Sequence, residues 1–193
     1  MARTKDFDEQ DVLTKAVHLF WLKGYNATSM QDLVDGLGIS RSSLYDTFGD
    51  KHSLFIRSLE NYRAGMTAKL QATVNNATTA RDAVRGLLDL TTRELLSDNE
   101  HKGCFLVNSA VEVGPHDAEV NKIICNGDRE LEEFFHAAIK TGQDAGEISP
   151  NKDAKALAGF IINSIKGVRV TAKSITDRKL FKDIIDMTMS VLD

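Results

Sequence analysis

Helical spacing that runs the length of the chain is the feature that most restricts its fold. Apolar residues recur at intervals of three and four, only two prolines occur (Pro115 and Pro150), and no alternating strand pattern lasts six residues. The chain is therefore expected to be all-α. With 193 residues it makes one large domain or two small ones, and at 42% hydrophobic and 27% charged it can build a core. No apolar run is long enough to span a membrane, and the first residues lack the apolar stretch of a signal peptide. The two cysteines, Cys104 and Cys125, lie far apart with no CxxC, which argues against a disulfide framework or structural zinc and fits a reducing, cytoplasmic location.

Capping residues divide the helical pattern. Asp8 opens a first helix carrying Val12, Leu13, Ala16, Val17, Phe20 and Trp21, which ends at Gly24. Thr28, three residues before Gln31, reads as the N-cap of a short helix with Met30, Leu33, Val34 and Leu37. Ser40 caps the next, which holds Leu44 and Tyr45 and closes near Phe48 and Gly49. Asp50 caps a longer helix through Leu54, Ile56, Leu59, Tyr62 and Met66. A polar loop at 75–79 precedes further helices at about 80–96, 104–113, 117–141, 153–173 and 177–192, with breaks at Gly114-Pro115 and at 146–150.

Two short helices joined by Gly36-Leu37-Gly38-Ile39 have the proportions of a helix-turn-helix. The exposed N-terminal face of the second helix would present Arg41, Ser42 and Ser43 to a major groove, with Leu44 turned inward. The net charge is -4, and in the first 60 residues Asp32, Asp35, Asp46 and Asp50 offset the cations. DNA affinity would then rest on geometry and on a dimer doubling each contact.

The set Val12-Leu13, Ala16, Leu19-Phe20, Gly24-Tyr25, Thr28-Ser29-Met30, Leu33, Leu37-Gly38-Ile39-Ser40, Ser43-Leu44-Tyr45, Phe48, Lys51 and Leu54 resembles the N-terminal domain of TetR/AcrR transcriptional regulators. The resemblance implies a DNA-binding domain over residues 1–55 and a helical effector-binding and dimerisation domain over 56–193. It implies base contacts by Arg41 and Ser42, and phosphate contacts by Thr28, Ser40, Tyr45, Thr47 and Lys51. Arginine can pair bidentately with guanine, and hydroxyls at helix starts suit backbone oxygens. Arg3 and Lys5 could add arm contacts. The partners implied are a palindromic double-stranded operator, a small-molecule effector and a second copy of the chain; no cofactor or metal is expected.

The last two helices are apolar over more than one face, which nominates Leu157, Ile161, Ile165, Leu180, Ile184 and Val191 for a dimer interface. Gly103-Cys104-Phe105-Leu106-Val107-Asn108, with Ala110, Glu112 and Val113, resembles a segment of electrophile-sensing family members similar to the N-ethylmaleimide reductase repressor. That likeness implies a sensing Cys104 with Lys173 beside it. The other reading makes Cys104 a small core residue and Lys166, Arg169 and Lys173 a solvated face. For a reversible effector, candidate lining residues are Phe105, Asn108, Glu112, Phe134, Phe135 and Asn163.

Two other classes compete. Glu133-Phe-Phe-His136 has the Glu-x-x-His spacing of metal-dependent helical-bundle oxidases, but it occurs once where such a site needs it twice. A protein-interaction module without DNA binding is the third class.

Overall fold

A computed structural model describes residues 7–193; Arg3 and Lys5, the expected arm contacts, lie outside them. Among the described residues there are nine helices and no strand: α1 (Glu9–Lys23), α2 (Met30–Leu37), α3 (Arg41–Phe48), α4 (Lys51–Asn75), α5 (Ala80–Ser97), α6 (Phe105–Glu112), α7 (Ala118–Asp144), α8 (Ala154–Thr171) and α9 (Arg178–Ser190). The expected all-α class is observed.

Local chemistry explains most of the helix starts. Asp8, Ser40, Asp50, Thr79, Asp117, Asp153 and Asp177 each accept a first-turn amide hydrogen that has no partner within its helix. The expectation at Thr28 is corrected. The cap of α2 is Ser29, whose hydroxyl accepts from Asp32 N at 3.1 Å while Asp32 Oδ2 accepts from Ser29 N at 2.8 Å. Gln31, one position out of register, instead donates to Asp35 Oδ1 at 2.8 Å. Thr28 is fully buried, and its hydroxyl donates to Gly24 O at 2.6 Å.

Two apolar clusters account for most of the interior. The first joins the inner faces of α1, α2, α3 and the start of α4 to Phe105, Val113, Val120, Ile123 and Ile124. The second gathers α5, the C-terminal half of α7, α8 and α9 around Leu87, Phe135, Ile139, Ala158 and Ile161. At 25 residues α4 is about 38 Å long, enough to run from one cluster to the other. The boundary expected between residues 55 and 56 falls inside α4, with Phe55 and Ile56 both buried in the first cluster. Any division of labour there is functional, not a gap in the core.

Candidate nucleic-acid interface and effector cavity

The turn between α2 and α3 depends on Gly38, whose φ of 70° lies in the left-handed region that residues with a Cβ rarely adopt. Leu44 and Phe48 anchor α3 on the core, which leaves Arg41, Ser42, Tyr45 and Asp46 on its outward face. Ser40 Oγ accepts from Ser43 N at 3.1 Å and lies 2.9 Å from both Ser42 Oγ and Ser43 Oγ. These hydroxyls satisfy one another at a helix N-terminus, where an anionic oxygen could replace one partner. Thr47 is half-buried beside Arg57, which donates from Nη1 to Thr47 O at 3.4 Å and stacks 4.7 Å over the Phe48 ring.

Lys51 begins α4 with its ammonium 4.4 Å over the Tyr25 ring. Burial pulls its pKa below the usual lysine range, opposed by the carboxylates of Glu112 and Asp32. Burial also raises the Tyr25 phenol, with Asp117 and Asp50 adding to it. The result is a cation of fixed position at the mouth of α4.

The same corner is tied to the larger half of the chain. Glu112, the last residue of α6, accepts from Tyr25 N at 3.1 Å and from Asn26 N at 2.8 Å. Gly24 makes room for this grip: at φ 86° it occupies glycine-favoured space, and a Cβ there would lie 2.9 Å from Glu112 Oε2. His52 Nε2 meets Asp117 Oδ2 at 2.7 Å, pairing the first turn of α4 with the cap of α7. The expected effector role of Glu112 is therefore corrected, since both carboxylate oxygens are engaged in joining the two halves.

A cavity of about 220 Å³ opens between α4, α6, α7 and α8. Its walls are mainly apolar, from Met66, Leu70, Leu106, Val107, Ala110 and Ile124, with five charged side chains among them. None of the residues proposed from sequence for an effector lines it. Phe105 is core, packed edge-on against Phe55 and Tyr62 at 5.7 Å from each. Asn108 Nδ2 donates to Lys102 O at 2.8 Å, and its Oδ1 accepts from Lys173 Nζ at 3.3 Å. Phe134 packs on the second core cluster, where Phe135 is fully buried, and Asn163 is on the outer face of α8. Sequence reading missed Arg63, Met66 and Leu70, because nothing local marks a residue that lines a space between helices.

Cys104 occupies the N-cap position of α6, is 2% exposed, and accepts from Tyr62 Oη at 3.8 Å. Burial pushes the Tyr62 phenol well up, and the neighbouring thiol adds to this. The Lys166 ammonium is paired with Asp128 at 2.6 Å. Lys173 packs its aliphatic stem against Gly103 and directs its ammonium to Asn108.

The proposed dimer residues divide by helix. Leu157, Ile161 and Ile165 are buried within the protomer's own second cluster, which corrects their assignment to an interface. The outward stripe of α8 is Ala156, Gly159, Phe160, Asn163, Gly167 and Val170, in which Phe160 is 50% exposed. On α9, Leu180, Ile184 and Val191 are half-buried and share their stripe with Met187, which is 69% exposed. Glu133 and His136 are exposed on α7, and among the described residues no three His, Cys, Asp or Glu side chains gather as a metal-ligating group. Among the described residues no helix is long and apolar enough to cross a membrane.

Comparison with known proteins agrees with this geometry. Residues 12–57 match the family described as bacterial regulatory proteins, tetR family, and residues 80–187 match the tetracyclin repressor-like C-terminal domain. The HTH-type transcriptional regulator YezE of Bacillus subtilis is 34% identical, with 100% of both chains covered. The HTH-type transcriptional repressor ComR of Escherichia coli is 29% identical over 89% of this chain and 82% of its own. Among solved structures, the TetR-family regulator CifR, as a cysteine mutant on 26 bp double-strand operator DNA, aligns with a TM-score of 0.89 at 26% identity over 100% of both chains. Reduced E. coli NemR shares the fold, with a TM-score of 0.84 at 15% identity over 95% and 96% of the two chains. Both segments of the chain match family descriptions and a full-length relative passes 30% identity, so the chain belongs to the TetR family of bacterial transcriptional regulators.

Proposed function

We propose that this regulator is a cytoplasmic repressor that holds a palindromic operator as a homodimer and is released by a small molecule entering the cavity between α4, α6, α7 and α8. In this reading residues 1–55 read DNA, and residues 56–193 bind the effector and the second protomer. The outward face of α3 carries the reading: Arg41, Ser42, Tyr45 and Asp46 project together from a helix whose other side is locked into the core. Arg41 would take a guanine edge bidentately, and Asp46 suits a cytosine amino group. Ser40, Ser43, Tyr45, Thr47 and Lys51 would hold phosphates and fix the register. Thr28, buried with its hydroxyl engaged, has no part in the interface; Ser29 is the exposed hydroxyl at that corner. An effector that favours a protomer arrangement in which the paired α3 helices no longer fit successive grooves weakens DNA binding, and DNA weakens the effector by the same factor.

The test is fluorescence-anisotropy titration against DNA from upstream of the protein's own gene and against scrambled DNA, at several salt concentrations. Arg41→Ala is expected to cost about 1 to 3 kcal/mol at the operator and to relax specificity at one base pair. Lys51→Ala is expected to weaken all sequences alike and to flatten the salt dependence. Equal effects of both variants on specific and scrambled DNA would overturn these roles.

A second reading is favoured by one observation: Cys104 sits at the start of α6, the helix whose far end grips the turn before α2. Oxidation or alkylation of this thiol would act on the same helix that lines the cavity. Loss of operator binding after mild peroxide, reversed by thiol and absent in Cys104→Ser, would favour this trigger over a reversible ligand.

The dimer would form through the outward stripes of α8 and α9, where Gly159 and Gly167 let another helix approach closely. Placing a charge at Met187 with Met187→Asp is expected to give monomers by sedimentation at micromolar concentration, with helicity retained. A variant that still sediments as a dimer would remove this face from the interface.

A further inference from the structure

We propose that the cavity between α4, α6, α7 and α8 selects an amphipathic organic monoanion, with an aromatic or short aliphatic body ending in one carboxylate, and that Arg169 receives the carboxylate. The inference rests on the reading of this cavity as the effector site and adds the chemical class of the ligand.

The charge balance of the cavity wall carries the argument. Five charged side chains line it: Arg63, Asp128, Glu130, Lys166 and Arg169. Two pairs are already neutralised, since Arg63 Nη1 donates to Glu130 Oε1 at 2.6 Å and Lys166 Nζ donates to Asp128 Oδ2 at 2.6 Å. The third cation is left over. The Arg169 guanidinium, whose charge favours the ionised form of the Tyr62 phenol, makes no ion pair or hydrogen bond with any described residue and lines both this cavity and the smaller one beside Cys104. A second donor is also unused, because Arg63 Nε is buried with no acceptor among the described residues.

A ligand that fills the apolar space displaces the water hydrating Arg169. A neutral body would leave the guanidinium without acceptors in a drier site, which costs more than the apolar contact returns. A carboxylate restores them through two parallel N–H···O bonds, a geometry guanidinium matches and ammonium does not. The local charge sets the ligand's valence. Three cations against two carboxylates leave a single positive charge, and Asp128 and Glu130 nearby would oppose a dianion. Size follows from volume: a cavity of 150 Å³ admits benzene, so about 220 Å³ admits a ring with a short chain, roughly nine or ten non-hydrogen atoms.

The probes are phenylacetate, 2-phenylethanol and 2-phenylethylamine, titrated calorimetrically into the protein without DNA. The acid is expected to bind at least tenfold more tightly than the alcohol or the amine. Arg169→Gln should erase that preference while leaving the alcohol's affinity within about twofold. Ala110→Met, which adds volume to the cavity wall, should weaken all three. The melting temperature of each variant without ligand separates a lost site from a lost fold. Equal or tighter binding of the alcohol or amine, an acid preference that survives Arg169→Gln, or no binding of any probe at millimolar concentration overturns the proposal. The operator titration repeated with the acid tests the underlying reading separately: binding without operator release keeps the ligand class and rejects the cavity as the effector switch.

Discussion

Phe55→Ala is expected to destabilise the protein by about 3 to 5 kcal/mol, more than any other single substitution considered for this chain. The ring is 1% exposed and sits where three segments meet, with centroids 5.1 Å from Phe20 of α1, 4.6 Å from Tyr25 in the turn that follows, and 5.7 Å from Phe105 of α6. Removing it costs the transfer energy of a buried aromatic and leaves a cavity that the surrounding rings, Phe20 and Phe105 edge-on and Tyr25 tilted, can only partly close. Phe55→Leu keeps much of the volume and should lose about half as much. Urea titration followed by far-UV circular dichroism measures both, at a fixed protein concentration because a dimer's apparent stability depends on it. A loss under about 1 kcal/mol for the alanine variant would mean that the first cluster does not join α1, α4 and α6 as these distances indicate.

Phe55 also marks where sequence reading stops short. Leu54, Ile56 and Leu59 stand out on α4 by spacing alone, but burial of Leu54, Phe55 and Ile56 in succession means that α4 is enclosed on more than one side. Spacing detects one face, and the second face appears only when α6 packs there. Caps were legible at Asp8, Ser40 and Asp50 because their chemistry is local. Thr28 failed as a cap because Thr and Ser stand side by side and only the partner three residues on, Asp32 after Ser29, separates them.

The exposed face of α3 could be read from one short segment, residues 41–46, whereas the cavity is assembled from residues between Arg63 and Arg169 and leaves no local signature. The α8 residues nominated for an interface were misplaced for a physical reason as well. The strongest apolar stripe on α8, with Leu157, Ile161 and Ile165, faces the protomer's own core, while the outward stripe is built from alanine, glycine, Phe160, Asn163 and Val170. Hydrophobicity alone ranks the inner face first.

Glu112→Ala is the second large effect, expected at about 3 kcal/mol, because it removes two charge-assisted hydrogen bonds worth about 1.5 kcal/mol each at a partly exposed site. Glu112→Gln keeps one acceptor oxygen and should lose roughly half of that. The consequence reaches beyond stability. Leu106, Val107, Ala110 and Val111 of α6 line the cavity, and Glu112 ends the same helix on the backbone of Tyr25 and Asn26, just before α2. A shift of α6 on ligand binding would pass through this carboxylate to the corner that also holds Lys51, whereas α4 offers a parallel route along its own axis. Cutting the first route should leave the second cluster intact while loosening the corner. Amide hydrogen exchange can see that difference, with protection lost at Tyr25 and Asn26 in Glu112→Ala and retained through α7 and α8. Unchanged exchange at those two amides would show that the grip of Glu112 contributes nothing to the corner, leaving α4 and the contacts of α7, among them the pair of His52 with Asp117, to connect the cavity with α3.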